Sequence, residues 1–303
     1  MHDHEHAHGA ASVREKRVSS MLVVLGITSA YMLVEVLAGF YTGSLALIAD
    51  AGHMLGDVAS LILALVAFWF SSKPPNLIKT YGYYRTEIFA ALINGIVLVG
   101  ISLFIVWEAY RRLSDPPAVI GAPMLVVGLL GLVVNLASAK LLSHGASENL
   151  NVKAAYLEVL SDLMATAGVL VAAVVVLLSK WYLVDPIVSG AIGLMILPRT
   201  WSLLAECTHI LMEGAPGHVD LAGLRAAMLA VPGVVDIHDI HVWTITSGLD
   251  AMSGHVTIDK DSPADTVLSE ITTIAQEKFG LHHTTVQVEQ VECKGQTSGT
   301  CGS

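Results

Sequence analysis

The sequence predicts a polytopic α-helical membrane protein: six transmembrane helices followed by a C-terminal cytoplasmic α+β domain. Three observations predict it. Of the 303 residues, 54% are hydrophobic and only 14% charged, well below the roughly 25% charged residues of soluble proteins. Several apolar runs approach the ~20 residues that a helix needs to cross a bilayer. After Cys207 the hydropathy drops and the pattern becomes that of short helices and alternating strands.

Residues 1–18 form a polar N-terminal tail whose first segment, MHDHEHAHGAAS, sets His2, His4, His6 and His8 among acids and small residues. Such a tract cannot build a core, and histidine-rich tracts chelate metal loosely. A plain solvated tail is the alternative. The segment is not basic-then-apolar, so a cleavable signal peptide is not expected.

Residues 19–205 form the membrane domain, with spans at 19–41, 45–71, 86–110, 118–143, 153–179 and 183–205. Turn chemistry separates them: Thr42-Gly43-Ser44, Lys73-Pro74-Pro75-Asn76, Asp115-Pro116-Pro117, and Ser143 to Asn151. An even number of crossings puts both termini on one side. Arg14, Lys16, Arg17, Lys73, Lys79, Arg85, Lys140, Lys153 and Arg199 flank that side, and only Arg111, Arg112 and Lys180 the other. Positive residues stay inside, which makes the termini cytoplasmic.

Residues 206–292 read as a small two-layer α+β unit. A helix is expected over 217–231, then strands Val234–Thr246 and Ala251–Asp259, a helix over about 263–279, and a last strand Thr284–Val291. A short tail, 293–303, carries Cys293 and Cys301. Three cysteines, none in a C-x-x-C spacing, make no disulfide framework and suit a reducing compartment. The net charge of −10, concentrated in this last third, argues against nucleic acid and for cations.

Charged groups within the spans carry the function. The second span reads DAGHMLGD from Asp50 to Asp57, and the fifth reads YLEVLSD from Tyr156 to Asp162. His53 and Asp57 are four apart, as are Glu158 and Asp162, so on a helix each pair shares a face. An ionisable side chain near the bilayer centre costs roughly 2.5–3.5 kcal/mol on insertion scales, so it must pair or bind. Two such helices supply four ligands, His53, Asp57, Glu158 and Asp162, the number a tetrahedral divalent metal takes. Gly52, Gly56, Ala165 and Gly168 are small enough to let helices approach. Buried hydrogen bonding between helices is the simpler explanation for either pair alone; two pairs in separate spans outweigh it. Crowded carboxylates in a poorly hydrated place hold protons, so an incoming metal must displace them, and alternating access then yields metal/proton exchange.

These residues resemble those of the cation diffusion facilitators, in particular the bacterial CzcD-type members. The likeness runs through SLALIADAGHMLGDVASL, YGYYRTEIFAALINGIVL, NVKAAYLEVLSDLMATAGV, DPIVSGAIGLMIL and HDIHVWTITSG. It implies a homodimeric zinc exporter driven by protons, with cobalt and cadmium as further cargo, a ferredoxin-like cytoplasmic domain, and the transport site named above. Many zinc members have H-x-x-x-D on both helices. Here Glu158 stands for the second histidine, a harder ligand that should relax discrimination against cobalt, manganese or iron. The resemblance also implies cytoplasmic zinc ligands at His238, His255, His282 and Glu289. Cys293 and Cys301 are further metal candidates, more widely spaced than the family's usual pair.

Other polar residues are weighed individually. Asp50, one turn before His53, is expected either to guide ions in or to cap the helix mouth. Glu35, Asn94, Asn135 and Asp185 read as interhelical hydrogen bonders, and Lys79 and Arg85 as salt-bridging or solvated. His241 should point away from His238, because residues three apart on a regular strand face opposite sides. A membrane metalloenzyme is disfavoured, since no H-E-x-x-H or G-x-S-x-G constellation is present. A membrane-anchored metal sensor is the remaining alternative.

Overall fold

The structure, a computed structural model, describes residues 25–71, 76–143 and 150–290, with some side chains inside the helices, that of Glu158 among them, left out. His2, His4, His6, His8, Cys293 and Cys301 lie outside the described residues. Two compact units emerge, one from Met1–Val66 and Ala91–Leu204, the other from Ala67–Ala90 and Ala205–Ser303.

The first unit is helical: α1 (Leu25–Thr42), α2 (Leu45–Ser71), α3 (Arg85–Ser114), α4 (Gly121–Ser143), α5 (Leu150–Ser179) and α6 (Val184–Leu211). Among the described residues, α1, α3, α6 and Leu160–Ser179 of α5 are long and apolar enough to cross a membrane. α2 and α4, of 27 and 23 residues, have the length for it at about 1.5 Å per residue. A core of Leu47, Ile105, Met124, Val169, Ala173 and Ile196 joins α2 to α6.

The break between α1 and α2 follows from local chemistry. Gly43 has φ 73°, a left-handed conformation that costs glycine little. The new helix then needs acceptors for its first N–H groups. Asp185, at the start of α6, supplies them: it accepts from Leu45 N at 2.8 Å, Ala46 N at 3.2 Å and the Ser44 hydroxyl at 2.6 Å. One fully buried carboxylate thus fixes the N-terminus of the helix that carries His53 and Asp57.

The second unit contains α7 (Leu221–Leu229), β1 (Val234–Thr246), β2 (Leu249–Ile258), α8 (Ala264–Phe279) and β3 (His283–Glu289). The strand order is β1-β2-β3, antiparallel then parallel. A parallel neighbour needs a crossover, which α8 provides. Both helices pack on one face, where Leu224, Met228, Ile237, Val256 and Ile271 are buried. α7 is capped by Asp220, which accepts from Ala222 N and Gly223 N. α8 stops at Gly280, φ 71°, with Leu281 N bonding back to Ala275 O, the geometry of a glycine-terminated helix.

One expectation is overturned. His238 pairs with His255, but His241 pairs with Ser253, so three steps on β1 face two on β2. The extra residue is a bulge beside Asp239, which has φ 52°. The bulge reverses the alternation, and His241 therefore shares the sheet face of His238.

Asp185→Ala leaves buried donors unpaired at about 1–3 kcal/mol, so thermal unfolding in detergent should show a lowered midpoint. An unchanged midpoint would remove Asp185 from its role in holding α2.

Candidate metal centres

The first centre is built from α2 and α5. His53 and Asp57 lie one turn apart on α2, and Asp162 faces them from α5. Their ligand atoms all lie within 4.8 Å of one another. His53 Nε2 approaches Asp162 Oδ1 to 2.9 Å, with the two side chains 8% and 17% exposed. Apart from each other, neither atom has a hydrogen-bond partner. Buried polar atoms rarely have so few partners, and a cation shared with Asp57 would add one. Glu158 lies on α5 one turn before Asp162, where an i, i+4 partner belongs.

Small residues hold α2 in place. A Cβ on Gly56 would meet Leu98 at 2.8 Å, and one on Gly52 would meet Ile101 at 3.1 Å. The face of α2 behind the ligands therefore presses directly on α3. Asp50 does not cap the mouth of α2. It is buried within the helix and accepts from the Thr166 hydroxyl at 3.3 Å, while Asp185 does the capping.

The second centre lies on the open face of the small sheet. His238, His255 and Glu289 come from β1, β2 and β3 and form one cluster. His255 Nδ1 lies 2.7 Å from Glu289 Oε1, and His238 Nε2 lies 3.5 Å from Glu289 Oε2. Register explains the meeting: His238 is opposite His255, and Glu289 is opposite Thr257, two residues further along β2 on the same face. Glu289 Oε2 is buried without a hydrogen-bond partner.

His282 does not join this cluster. It is exposed and precedes β3, seven positions before Glu289, or about 23 Å along a strand. The position opposite His255 is instead Gln287, whose Nε2 donates to Glu289 Oε1 at 2.9 Å. Sequence reading missed Gln287 because only strand pairing singles it out. Arg85 makes the salt bridge expected of it, to Glu213 at 2.9 Å. A cavity of about 730 Å³ in this unit, lined by Lys79, Tyr81, Arg85, His241 and Trp243 among others, contains none of the ligands above.

Comparison with known proteins covers both parts of the chain. Residues 21–212 match the cation efflux transmembrane domain, and residues 216–291 match the cation efflux protein cytoplasmic domain. The chain belongs to the cation efflux family. As a member it is an integral membrane protein and a metal cation efflux transporter. The metal cation efflux system protein CzcD of Cupriavidus metallidurans is 42% identical over 292 residues, covering 96% of this chain and 91% of that protein. The zinc transporter ZitB of Escherichia coli is 39% identical over 295 residues, covering 96% and 94%. The cadmium, cobalt and zinc/H(+)-K(+) antiporter of Bacillus subtilis is 40% identical over 289 residues, covering 94% and 91%. Among solved structures, the metal-bound C-terminal domain of the Cupriavidus CzcD transporter is 39% identical, covers 23% of this chain and 99% of that one, and has a TM-score of 0.23.

Gln287→Ala in the full-length transporter should weaken divalent-metal binding at the sheet by about 10-fold or more. His282→Ala should leave it unchanged. Calorimetric titration reads both, and the reverse pattern would restore His282 as the ligand.

Proposed function

We propose that this transporter exports zinc, with cobalt and cadmium as further cargo, from the cytoplasm in exchange for protons. The observation that carries this reading is the meeting of buried His53 with Asp57 and Asp162, where His53 Nε2 and Asp162 Oδ1 face each other at 2.9 Å and have no hydrogen bond to any other group. Glu158 completes the set as the fourth ligand. One nitrogen and three carboxylates suit a borderline divalent ion and tolerate harder ones. The relatives named for zinc, cadmium and cobalt transport point the same way.

Exchange follows from competition for lone pairs. A proton on His53 or a carboxylate must leave before the metal binds there. Moving two charges outward against an inside-negative potential costs about 4.6 kcal/mol per 100 mV, while one entering proton returns about 2.3. A one-for-one exchange therefore runs outward only with a pH gradient or a high internal metal concentration.

The protein works as a homodimer in the bacterial inner membrane, with both termini in the cytoplasm and lipid around its spans. His238, His255 and Glu289 bind zinc in the cytoplasmic domain. Zinc there neutralises an acidic surface and draws the two tails together, which couples cytoplasmic zinc to transport. The histidines of the N-terminal tail and Cys293 and Cys301 collect metal weakly.

Proteoliposomes with an internal pH reporter test the exchange. Wild type should take up zinc with opposing proton movement, and Asp57→Ala should fall to the level of empty vesicles. Zinc flux with no proton movement would defeat the antiport. Glu158→His should favour zinc over cobalt and manganese in competition; an unaltered preference removes Glu158 from selectivity. For the tails, spin-label distances should shorten on adding zinc, and equal distances with and without it would end the regulatory role.

A further inference from the structure

The cavity of the second unit serves neither metal centre, and its walls are fastened to each other. Its floor is the open face of the sheet. Past the bulge at Asp239, alternation along β1 turns His241, Trp243 and Ile245 into it, with Ser253 opposite His241. Its other wall is the segment from Lys79 to Phe89, which leads into α3. Arg85 meets Glu213 at 2.9 Å, and Glu87 accepts from the Thr246 and Ser247 hydroxyls at 2.7 and 3.1 Å. The Tyr81 ring packs edge-on against that of His283. All of these residues belong to the second unit. At about 730 Å³, the space falls within the roughly 300–1,000 Å³ of small-molecule sites.

Charge in this cavity runs against that of the chain. The protein carries a net −10, yet Lys79, Arg85 and His241 line the space, with Glu213 its one carboxylate among the described residues. Glu213 occupies only Nη2 of Arg85, and a guanidinium has donors to spare. Among the described residues, the Lys79 ammonium has no ion pair. Two cations set among Tyr81, Phe89 and Trp243 repel a metal ion and suit an anion with an apolar body. Just before Lys79, the aliphatic pair Leu77 and Ile78 is 100% and 88% exposed. The turn that presents them is ordered, because Asn76 Oδ1 accepts from Ile78 N at 2.9 Å and Lys79 N at 2.8 Å. Aliphatic side chains held out beside basic ones suit insertion into a lipid surface. The 30 residues of α3 span about 45 Å, a bilayer with its headgroups included. Arg85, its first residue, therefore stands at headgroup level.

We propose that this cavity binds the phosphodiester headgroup of an anionic membrane phospholipid. Lys79 and Arg85 hold the phosphate, Tyr81 and Trp243 flank the headgroup, and Leu77 and Ile78 enter the acyl chains. Basic pockets at the mouths of membrane helices take such headgroups, and aromatic rings favour the same level of the bilayer. A zwitterionic lipid is disfavoured, since its own cation would stand against Lys79 and Arg85. A soluble phosphate would leave the exposure of Leu77 and Ile78 without a purpose. The site is independent of the exchange of metal for protons, and it gives the sheet that carries His238, His255 and Glu289 its own hold on the membrane.

Photo-crosslinking tests this on the full-length transporter, in phosphatidylcholine nanodiscs doped with phosphatidylglycerol that carries a photoreactive headgroup. Label should fall on peptides holding residues 76–89 or 241–253, and a matching phosphatidylcholine probe should label them several-fold less. Lys79→Gln should cut that labelling about fivefold, because one basic residue near an anionic surface contributes about 1 kcal/mol. Lys79→Arg should preserve it. The Lys79 side chain is exposed, so neither substitution disturbs packing. Unlabelled phosphatidylglycerol should compete, and free glycerol phosphate should not. Competition by glycerol phosphate would assign the cavity to a soluble phosphate and overturn the lipid. Equal labelling by the two probes, full labelling in Lys79→Gln, or no label in either peptide overturns the proposal outright.

Discussion

Charge inside a bilayer has to be matched by something, and the first unit is organised by that requirement. His53 and Asp162 come from helices more than a hundred residues apart in sequence and approach to 2.9 Å. Separately, each is an expensive intrusion into an apolar helix. Together with Asp57 they are a place for a cation. The packing that brings α2 and α5 to this meeting serves the site as well as the fold.

That packing has identifiable parts. Asp185 holds the first N–H groups of α2 from the start of α6, so the height of α2 is tied to a second helix. Gly52 and Gly56 let α3 press against α2 from behind. In a membrane, where apolar burial does not drive helices together, small residues and interhelical hydrogen bonds take over that role. The Tyr31–Glu35 and Asn135–Thr166–Asp50 contacts extend the same logic to α1, α4 and α5.

The small sheet uses other means to a similar end. Here the ligands sit on three strands and are aligned by register. The parallel pairing of β2 with β3 sets Gln287 opposite His255 and Glu289 beside it. The bulge at Asp239 puts His238 and His241 on one face, yet only His238 lies level with His255. A ligand set on strands therefore depends on pairing at single-residue precision, because a slip by one turns each side chain to the other face.

Much of this was legible in the sequence for a definite reason. Helical spacing is local, so the placing of His53 and Asp57 on one face of α2 follows from position alone, as do the apolar runs and the bounds of β1. Residues with unequal chemistry in an apolar span also declare themselves, since little but function offsets their cost. What tertiary structure decided was every relation between distant segments. The family resemblance assigned His282 to the cytoplasmic site, and the fold sets it just before β3, seven positions from Glu289. Sequence reading turned His241 away from His238 by simple alternation, and a bulge no composition reveals turned it back. It read Asp50 as a guide for ions or a cap at the helix mouth, whereas the fold buries it and pairs it with Thr166 of α5. Periodicity is a property of one segment and is written in that segment; register and the facing of buried charges belong to pairs of segments, and only packing brings those pairs together.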